Sequence, residues 1–147
     1  MSTLKPSVQT ESLGDILSEL PIVLVVEDDE VIQLLAEDAL QQGGFEIAVA
    51  ATGEEAVTLL QAGVIKYRAL VVDINLLGKF DGWQVARAAR KSDPNFPVIY
   101  MSGVAGEQWP IQGVPNSLLL QKPFAPVQLV TAVAQLLNAS PPTGSDV

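Results

Sequence analysis

The chain has 147 residues, the size of one ordinary domain, and 48% of them are apolar, which is enough to bury a sizeable core. Its 17 Asp and Glu against 8 Lys and Arg give a formal net charge of −9, which argues against binding to nucleic acid or to an anionic membrane surface. The sequence contains no cysteine and no histidine, which excludes disulfides, thiolate catalysis, Ser-His-Asp triads and His-ligated zinc.

Residues 1–20 are predicted to form an N-terminal extension. Residues 1–10 are polar, whereas residues 11–20 place Leu13, Ile16, Leu17 and Leu20 at helical spacing and could form a short helix. The start of the sequence has no basic region followed by an apolar stretch, so it does not indicate a signal peptide. No apolar run reaches the roughly 18 to 20 residues that a membrane span needs. The sequence therefore predicts a soluble, cytoplasmic protein without a membrane partner.

From residue 21 onwards, short apolar runs alternate with segments of helical periodicity. The runs predict buried strands at 22–26, 45–50, 69–73, 97–101 and 117–120. The periodic segments predict helices at 29–42, 52–60 and 82–90, and a last helix that begins at Pro126. Thr52 followed by Glu55 is typical of a capping box at the second of these helices.

Two segments do not fit regular structure. Residues 104–116 contain two prolines and two glycines, so we expect the fourth helix to be short, irregular or mobile. Trp109 within this segment fits either a plug in the core or part of a partner-binding face. Residues 139–147 contain two prolines, a glycine and serines, which predicts a disordered tail.

Five buried strands that alternate with helices predict an α/β fold, a doubly wound five-stranded parallel sheet with helices on both faces. In such a fold the functional crevice lies beyond the carboxyl ends of the strands. The polar residues that follow the predicted strands therefore become candidates, and they are Glu27, Asp28, Asp29, Asp73, Ser102 and Lys122. Asp29 also stands where the N-cap of the first helix would be, and the two interpretations are equally favoured.

The residue types at these strand ends suggest one kind of chemistry. Clustered carboxylates repel one another unless a cation neutralises them, and an all-oxygen set of ligands suits Mg²⁺. Asp73 could then attack phosphorus as a nucleophile and form an aspartyl phosphate. Lys122 and the hydroxyl of Ser102 would stabilise the charge on the phosphoryl oxygens.

Five motifs in this order resemble the receiver domain of two-component response regulators. They are VVED at 25–28, VVDINL at 71–76, DGW at 81–83, YMSG at 100–103 and QKPF at 121–124. The resemblance covers about residues 21–138, which we expect to be the receiver domain. It implies a flavodoxin-like sheet with the strand order 2-1-3-4-5.

The resemblance also implies the role of each site residue. Asp73 would accept the phosphoryl group from a histidine kinase or a phosphotransfer protein, with Ser102 and Lys122 binding that group. Asp73 would also contribute to the Mg²⁺ site, in which Asp28 would ligate the ion directly, Glu27 would act through water and the backbone carbonyl of Asn75 would complete the set. Asp29 is the runner-up ligand. A cis peptide bond would precede Pro123. The protein would not be an enzyme beyond self-phosphorylation and slow autodephosphorylation.

The sequence departs from the family in three places. Leu119 stands where the family carries an aromatic switch residue, the turn through residues 77–80 is one residue longer, and segment 104–116 is irregular. No output module follows residue 138, so we expect a stand-alone regulator that signals to an unknown downstream protein through protein–protein contacts. A pseudo-receiver that works without phosphorylation is the alternative. A small phosphohydrolase is less favoured because Asn75 replaces the second aspartate of that class, and no G-x-G-x-x-G supports a dinucleotide site.

Overall fold

The computed structural model describes residues 20–104 and 106–139, which form an α/β domain of five strands and five helices. The strands are β1 (Ile22–Val26), β2 (Glu46–Ala50), β3 (Ala69–Asp73), β4 (Val98–Ser102) and β5 (Leu118–Gln121). The helices are α1 (Glu30–Gln42), α2 (Gly53–Ala62), α3 (Gly82–Ser92), α4 (Trp109–Gln112) and α5 (Pro126–Asn138). None of the helices in this part of the chain is long and apolar enough to cross a membrane.

The five strands form one parallel sheet in the order β2-β1-β3-β4-β5, as the sequence predicts. Parallel neighbours need crossover connections, and the helices supply them on both faces of the sheet. The register pairs Val26 of β1 with Val72 of β3, and Asp73 of β3 with Met101 of β4. The carboxyl ends of the three central strands therefore meet at one edge.

Alternate side chains of the central strands enter two separate cores. Leu24, Val26, Leu70 and Val72 face helices α2 and α3, whereas side chains such as Val25 face α1 and α5. Every residue of β3 and of β4 is buried, which explains why their sequences are continuous apolar runs rather than alternating ones. The sheet is thereby held between two helical layers, which fixes the positions of its strand ends.

Helix termini differ from the predictions by a few residues. Helix α2 continues to Ala62 and α3 to Ser92, while β4 and β5 each begin and end one residue later than expected. The Thr52 side chain caps α2 by accepting a hydrogen bond from the Glu55 amide. In a capping box the carboxylate of Glu55 would in turn accept a hydrogen bond from the Thr52 amide. Here it accepts from the amide of Ala51 instead.

The segment between β4 and β5 is irregular, as its prolines and glycines predict. A single 3-10 turn (Gly106–Gln108) leads into the four-residue α4. Trp109 packs against the core, and its indole N–H donates to the Ser117 hydroxyl at 2.9 Å. The hydroxyl of buried Tyr100 accepts from the Val114 amide at 3.1 Å. These contacts support the interpretation of Trp109 as a core residue.

Some sequence predictions fall outside the described residues. The helix predicted for 11–20 lies outside them except for Leu20, and so does the tail from residue 140 onwards. The described chain begins at Leu20 and ends at Ala139, one residue beyond α5.

Candidate functional site

Three carboxylates meet at the carboxyl edge of the sheet. Glu27 and Asp28 directly follow β1, and Asp73 is the last residue of β3. Oxygen atoms of these three side chains all lie within 4.8 Å of one another. Glu27 and Asp73 are buried, whereas Asp28 is half-buried and faces solvent in part. The predicted convergence of carboxylates is therefore present in the structure.

Lys122 follows β5 and places its ammonium group within this cluster. Its Nζ lies 2.8 Å from Oε1 of Glu27 and 3.3 Å from Oδ1 of Asp73. The Lys122–Pro123 peptide bond is cis, as the resemblance implies. One cation thus bridges the two buried carboxylates, and it comes from a strand that lies three places from β1 and two places from β3 in the sheet.

The protonation of Glu27 is governed mainly by its burial. Only 1% of this residue is exposed, and desolvation raises the pKa of its carboxyl above its ordinary value of 4.5. The hydrogen bond from Lys122 opposes that rise, and the charge of Asp73 adds to it. Repulsion between carboxylates, which the sequence predicts, therefore raises the pKa of Glu27 less than burial does. Burial also lowers the pKa of the Lys122 ammonium, but its contacts with Glu27 and Asp73 outweigh this and leave the pKa raised.

Ser102 is the last residue of β4, and its hydroxyl has no partner. The residue is 2% exposed, and its Oγ makes no hydrogen bond within the described structure. A cavity of about 190 Å³ lies beside it and is also lined by Leu119 and Gly106. This hydroxyl is therefore available to donate a hydrogen bond to a group that binds at this edge.

Asp29 and Asn75 are not among the three residues of the carboxylate cluster. The Asp29 carboxylate caps α1 by accepting from the amides of Val31 and Ile32 at 2.8 and 3.4 Å. Asp29 is therefore engaged as the N-cap of α1, which is one of the two interpretations that the sequence allows. Asn75 is exposed in the loop after β3, two residues beyond Asp73.

The longer loop after β3 is held by the first turn of α2, which the sequence argument missed. The Glu54 carboxylate accepts a hydrogen bond from the Lys79 amide at 3.1 Å, and that bond is the main cause that lowers the pKa of Glu54. Gly53 lies so close to this loop that an added Cβ would fall 2.5 Å from the carbonyl oxygen of Phe80. The glycine and acidic residue that open α2 are the only sequence signals for this contact.

Gly82 lies in close contact with the backbone at Asp73, which the sequence does not predict. A Cβ at this position would lie 2.3 Å from the carbonyl oxygen of Asp73, so no other residue fits without moving β3 or α3. The Gly82 amide also donates to the carbonyl of Ile74 at 3.0 Å. The start of α3 therefore presses against the backbone that carries Asp73, which accounts for the glycine within the DGW motif.

The donor set of the cluster fits a divalent hard cation. All of its side-chain donors are carboxylate oxygens, which Mg²⁺ prefers to nitrogen or sulfur. Asp28 is the least buried of the three carboxylates, so water can reach this side of the cluster and complete the octahedral coordination that Mg²⁺ requires. The single ammonium of Lys122 does not balance the charge of three carboxylates, so a further cation would lower the electrostatic free energy of the site.

Known proteins resemble this chain over nearly all of its described part. The family model described as the response regulator receiver domain matches residues 23–134. A response regulator receiver protein from Sinorhizobium medicae is 42% identical, with a TM-score of 0.80 over 82% of this chain and 97% of that one. The response regulator protein TrrA from Thermotoga maritima, solved in complex with Mg(2+)-BeF, is 27% identical, with a TM-score of 0.71 over 80% of this chain and 99% of that one.

A curated relative extends the comparison to longer proteins. The transcriptional regulatory protein PrrA of Mycobacterium bovis is 36% identical over 120 residues, which are 80% of this chain and 50% of that protein. The chain spans about half the length, or less, of the curated relatives that it matches.

Proposed function

The chain belongs to the response regulator receiver domain family, and from this premise we propose that it accepts a phosphoryl group on Asp73 from a histidine kinase or a phosphotransfer protein. The observation that carries the proposal is the cluster of Asp73, Glu27, Asp28 and Lys122 at the carboxyl edge of the sheet. A nucleophile, a set of cation ligands and a fixed ammonium group are the parts that phosphoryl transfer requires.

In the proposed step, a carboxylate oxygen of Asp73 forms a bond to phosphorus. The bond between phosphorus and the donor nitrogen of a phosphohistidine breaks, and its electron pair remains on that nitrogen. With acetyl phosphate, the bond to the acyl oxygen breaks instead and acetate leaves. The product is an acyl phosphate on Asp73, formed without any oxidant or reductant.

The residues around Asp73 hold and neutralise the transferred group. The Lys122 ammonium, 3.3 Å from Oδ1 of Asp73, can move to a phosphoryl oxygen without leaving the cluster. The Ser102 hydroxyl would gain the acceptor that it lacks in the described structure. Bound Mg²⁺ would supply positive charge to the phosphoryl oxygens.

We propose that four residues hold the metal, and Asp73 is one of them because its carboxylate belongs to the cluster. Asp28, the most exposed carboxylate of the cluster, would bind directly, Glu27 would act through water, and the carbonyl of Asn75 would complete the site. The Mg(2+)-BeF complex of TrrA supports Mg²⁺ as the bound ion, because that protein has the same fold and is 27% identical to this chain. The buried position of Glu27 and its ion pair with Lys122 favour an indirect role for it.

The proposal extends to how the signal is passed on. We propose that residues 21–138 act as a stand-alone receiver in the cytoplasm and that phosphorylation changes their contacts with a downstream protein rather than with nucleic acid. The net charge of −9 favours a protein partner over a phosphate backbone.

The intact mass of the protein after incubation with acetyl phosphate tests the proposed function. A gain of one phosphoryl group that requires Mg²⁺ and is prevented by a chelator would support it. The same measurement with a phosphorylated histidine kinase as donor covers the case in which small donors are not accepted. A chain that gains no phosphoryl group from either donor and does not bind Mg²⁺ would favour the pseudo-receiver alternative.

Replacement of Asp28 should remove the response of the protein to Mg²⁺. A cation that binds only the folded state stabilises it by about 2.7 kcal/mol at a hundred times its Kd. We expect the thermal midpoint of the native protein to rise with Mg²⁺ and that of Asp28→Ala to stay nearly constant. Without Mg²⁺, Asp28→Ala should be as stable as the native protein or more so, because one source of repulsion is gone.

Asp29→Asn is the matched control for this experiment. Asparagine is as good an N-cap as aspartate, so the variant removes a neighbouring charge and preserves α1. Its Mg²⁺ response should equal that of the native protein. A loss of response in Asp29→Asn with retention in Asp28→Ala would reverse the ligand assignment.

Replacement of Ser102 by alanine should separate stability from phosphorylation. Because the hydroxyl is buried without a partner, its removal should leave the thermal midpoint unchanged or raise it slightly. A hydrogen bond to a charged group is worth about 1.5–3 kcal/mol, so phosphorylation by acetyl phosphate should slow by about 10- to 100-fold. Ser102→Thr, which keeps the hydroxyl, should phosphorylate at nearly the native rate. Equal rates in Ser102→Ala and the native protein would exclude a role for the hydroxyl.

A further inference from the structure

A long groove runs along the amino-terminal edge of the sheet, opposite to the phosphoacceptor. It has a volume of about 490 Å³ and lies between the starts of β3, β4 and β5 and the end of α5. Phe96, Leu136 and Leu137 contribute apolar surface to it. A second cavity of about 330 Å³ continues from it towards α2 and shares Tyr67 and Phe96. The two together form an apolar trough across the edge of the domain.

The charge along this groove is opposite to that of the protein as a whole. Lys66, Arg68 and Arg90 line it, and they are three of the eight basic residues of a chain with a net charge of −9. Asp93 is the acidic residue among those that line it. Arg90 is held by the carbonyl oxygens of Phe96 and Asn116, but Lys66 and Arg68 are exposed and form no ion pair with any residue of 20–104 or 106–139. The groove therefore offers two unpaired cations beside an apolar floor.

The described chain begins next to these cations. The Arg68 amide donates to the carbonyl of Ile22 at 2.8 Å, so the start of β1 lies beside the residue that begins the groove. Residues 11–19 carry three carboxylates and no basic residue. Leu13, Ile16, Leu17 and Leu20 follow the spacing of one face of a helix.

We propose that residues 11–19 occupy this groove, with their apolar side chains against its floor and their carboxylates towards Lys66 and Arg68. The dimensions agree, because a helix of these nine residues would be about 14 Å long. Along the sheet edge, the start of β1 beside Arg68 is separated from the start of β5 at the far side of the groove by three strand intervals of about 4.8 Å, or about 14 Å. The segment would cover apolar surface and pair exposed cations at an edge remote from Asp73, so the proposal is independent of phosphorylation.

The C-terminal residues are the competing occupant from the same chain. The described chain also ends at the groove, because Ala139 lines it. Residues 140–147 contain one acidic side chain, Asp146, and no set of apolar residues at helical spacing. Both charge and pattern therefore favour the N-terminal segment.

Paramagnetic relaxation in the full-length protein tests the proposal directly. The chain has no cysteine, so Asn95→Cys at the groove and Gln108→Cys near the opposite edge each give a single site for a nitroxide label. With the label at position 95, the amide signals of residues 11–19 should lose more than half of their intensity. With the label at position 108, those signals should be unaffected.

Charge reversal gives the second arm of the experiment. Lys66→Glu combined with Arg68→Glu should restore the signals of residues 11–19 in the protein labelled at position 95, whereas Lys91→Glu, a lysine outside the groove, should not. Equal broadening from both labels would overturn the proposal. So would selective broadening of residues 140–147 instead. Broadening that appears when labelled unenriched protein is mixed with unlabelled ¹⁵N protein would assign the groove to a second copy and would also overturn it.

Discussion

Asp73→Asn should reduce the incorporation of phosphate from acetyl phosphate to background, the largest functional effect expected of any single replacement in this protein. The amide is nearly the same size as the carboxylate but lacks the anionic oxygen that attacks phosphorus. Lys122 keeps its shorter contact, at 2.8 Å, with Glu27, so the fold should survive the change. The measurement is the intact mass of the variant after incubation with acetyl phosphate and Mg²⁺, beside the native protein.

The matched control for this prediction is Asp93→Asn. Asp93 is an exposed aspartate at the end of α3, on the opposite edge of the sheet, and it should leave phosphorylation at the native level. If Asp73→Asn still gained a phosphoryl group, the nucleophile would be another residue, and peptide mapping of the modified chain would identify it. If both variants lost incorporation, the effect would be one of folding rather than of chemistry.

The sheet could be predicted from the sequence because its strands carry an unusually clear signal. Segments such as Ile22–Val26 and Ala69–Asp73 are apolar at successive positions, a pattern that suits strands covered on both faces. Their order, parallel direction and the convergence of their ends follow from that pattern and from the family resemblance. The ends of elements moved by one or two residues, because apolar pattern does not mark where the last hydrogen bond forms.

Contacts between residues far apart in the chain could not be predicted in the same way. Glu27 and Lys122 are separated by 95 positions, and only the sheet order brings them to 2.8 Å. The hydrogen bond from the Lys79 amide to Glu54 and the close contact of Gly82 with the backbone of Asp73 depend on how the loops pack. No local sequence pattern encodes that packing. The sequence identified the residue types of the site, whereas the structure supplied their partners.

Lys122→Ala should produce the largest loss of stability expected of a replacement in the site. The change would leave Glu27, which is 1% exposed, and Asp73 as neighbouring buried carboxylates without their cation. Removal of one partner from a buried ion pair costs about 3–5 kcal/mol. We expect about 3 kcal/mol at pH 7, the lower end, because 20% of the Lys122 side chain remains exposed to solvent. Urea unfolding of the two proteins measures the difference.

The pH dependence of this difference distinguishes charge from packing. Burial raises the pKa of Glu27 in the folded state. The stability that this group contributes is therefore fully present below pH 4.5 and is lost as the pH rises through the pKa of the folded state. Without Lys122 this loss should be larger and should extend to higher pH. The pKa of Lys122 is also raised in the folded state. The stability that Lys122 contributes is therefore fully present below pH 10.5 and is lost as the pH rises through the pKa of the folded state. The gap between the proteins should therefore be widest near neutral pH and narrow towards both extremes.

Mg²⁺ and a second lysine complete the test of Lys122. A divalent cation in the carboxylate cluster supplies part of the missing positive charge, so Mg²⁺ should recover part of the lost stability of Lys122→Ala. Phosphorylation of that variant should still be slower by about 10²–10³-fold, because no group replaces the ammonium beside the phosphoryl oxygens. Lys91→Ala, an exposed lysine on α3, should change neither property. A stability gap that stayed constant from acid to alkaline pH would mean that Lys122 contributes through the packing of its aliphatic chain and not through its charge.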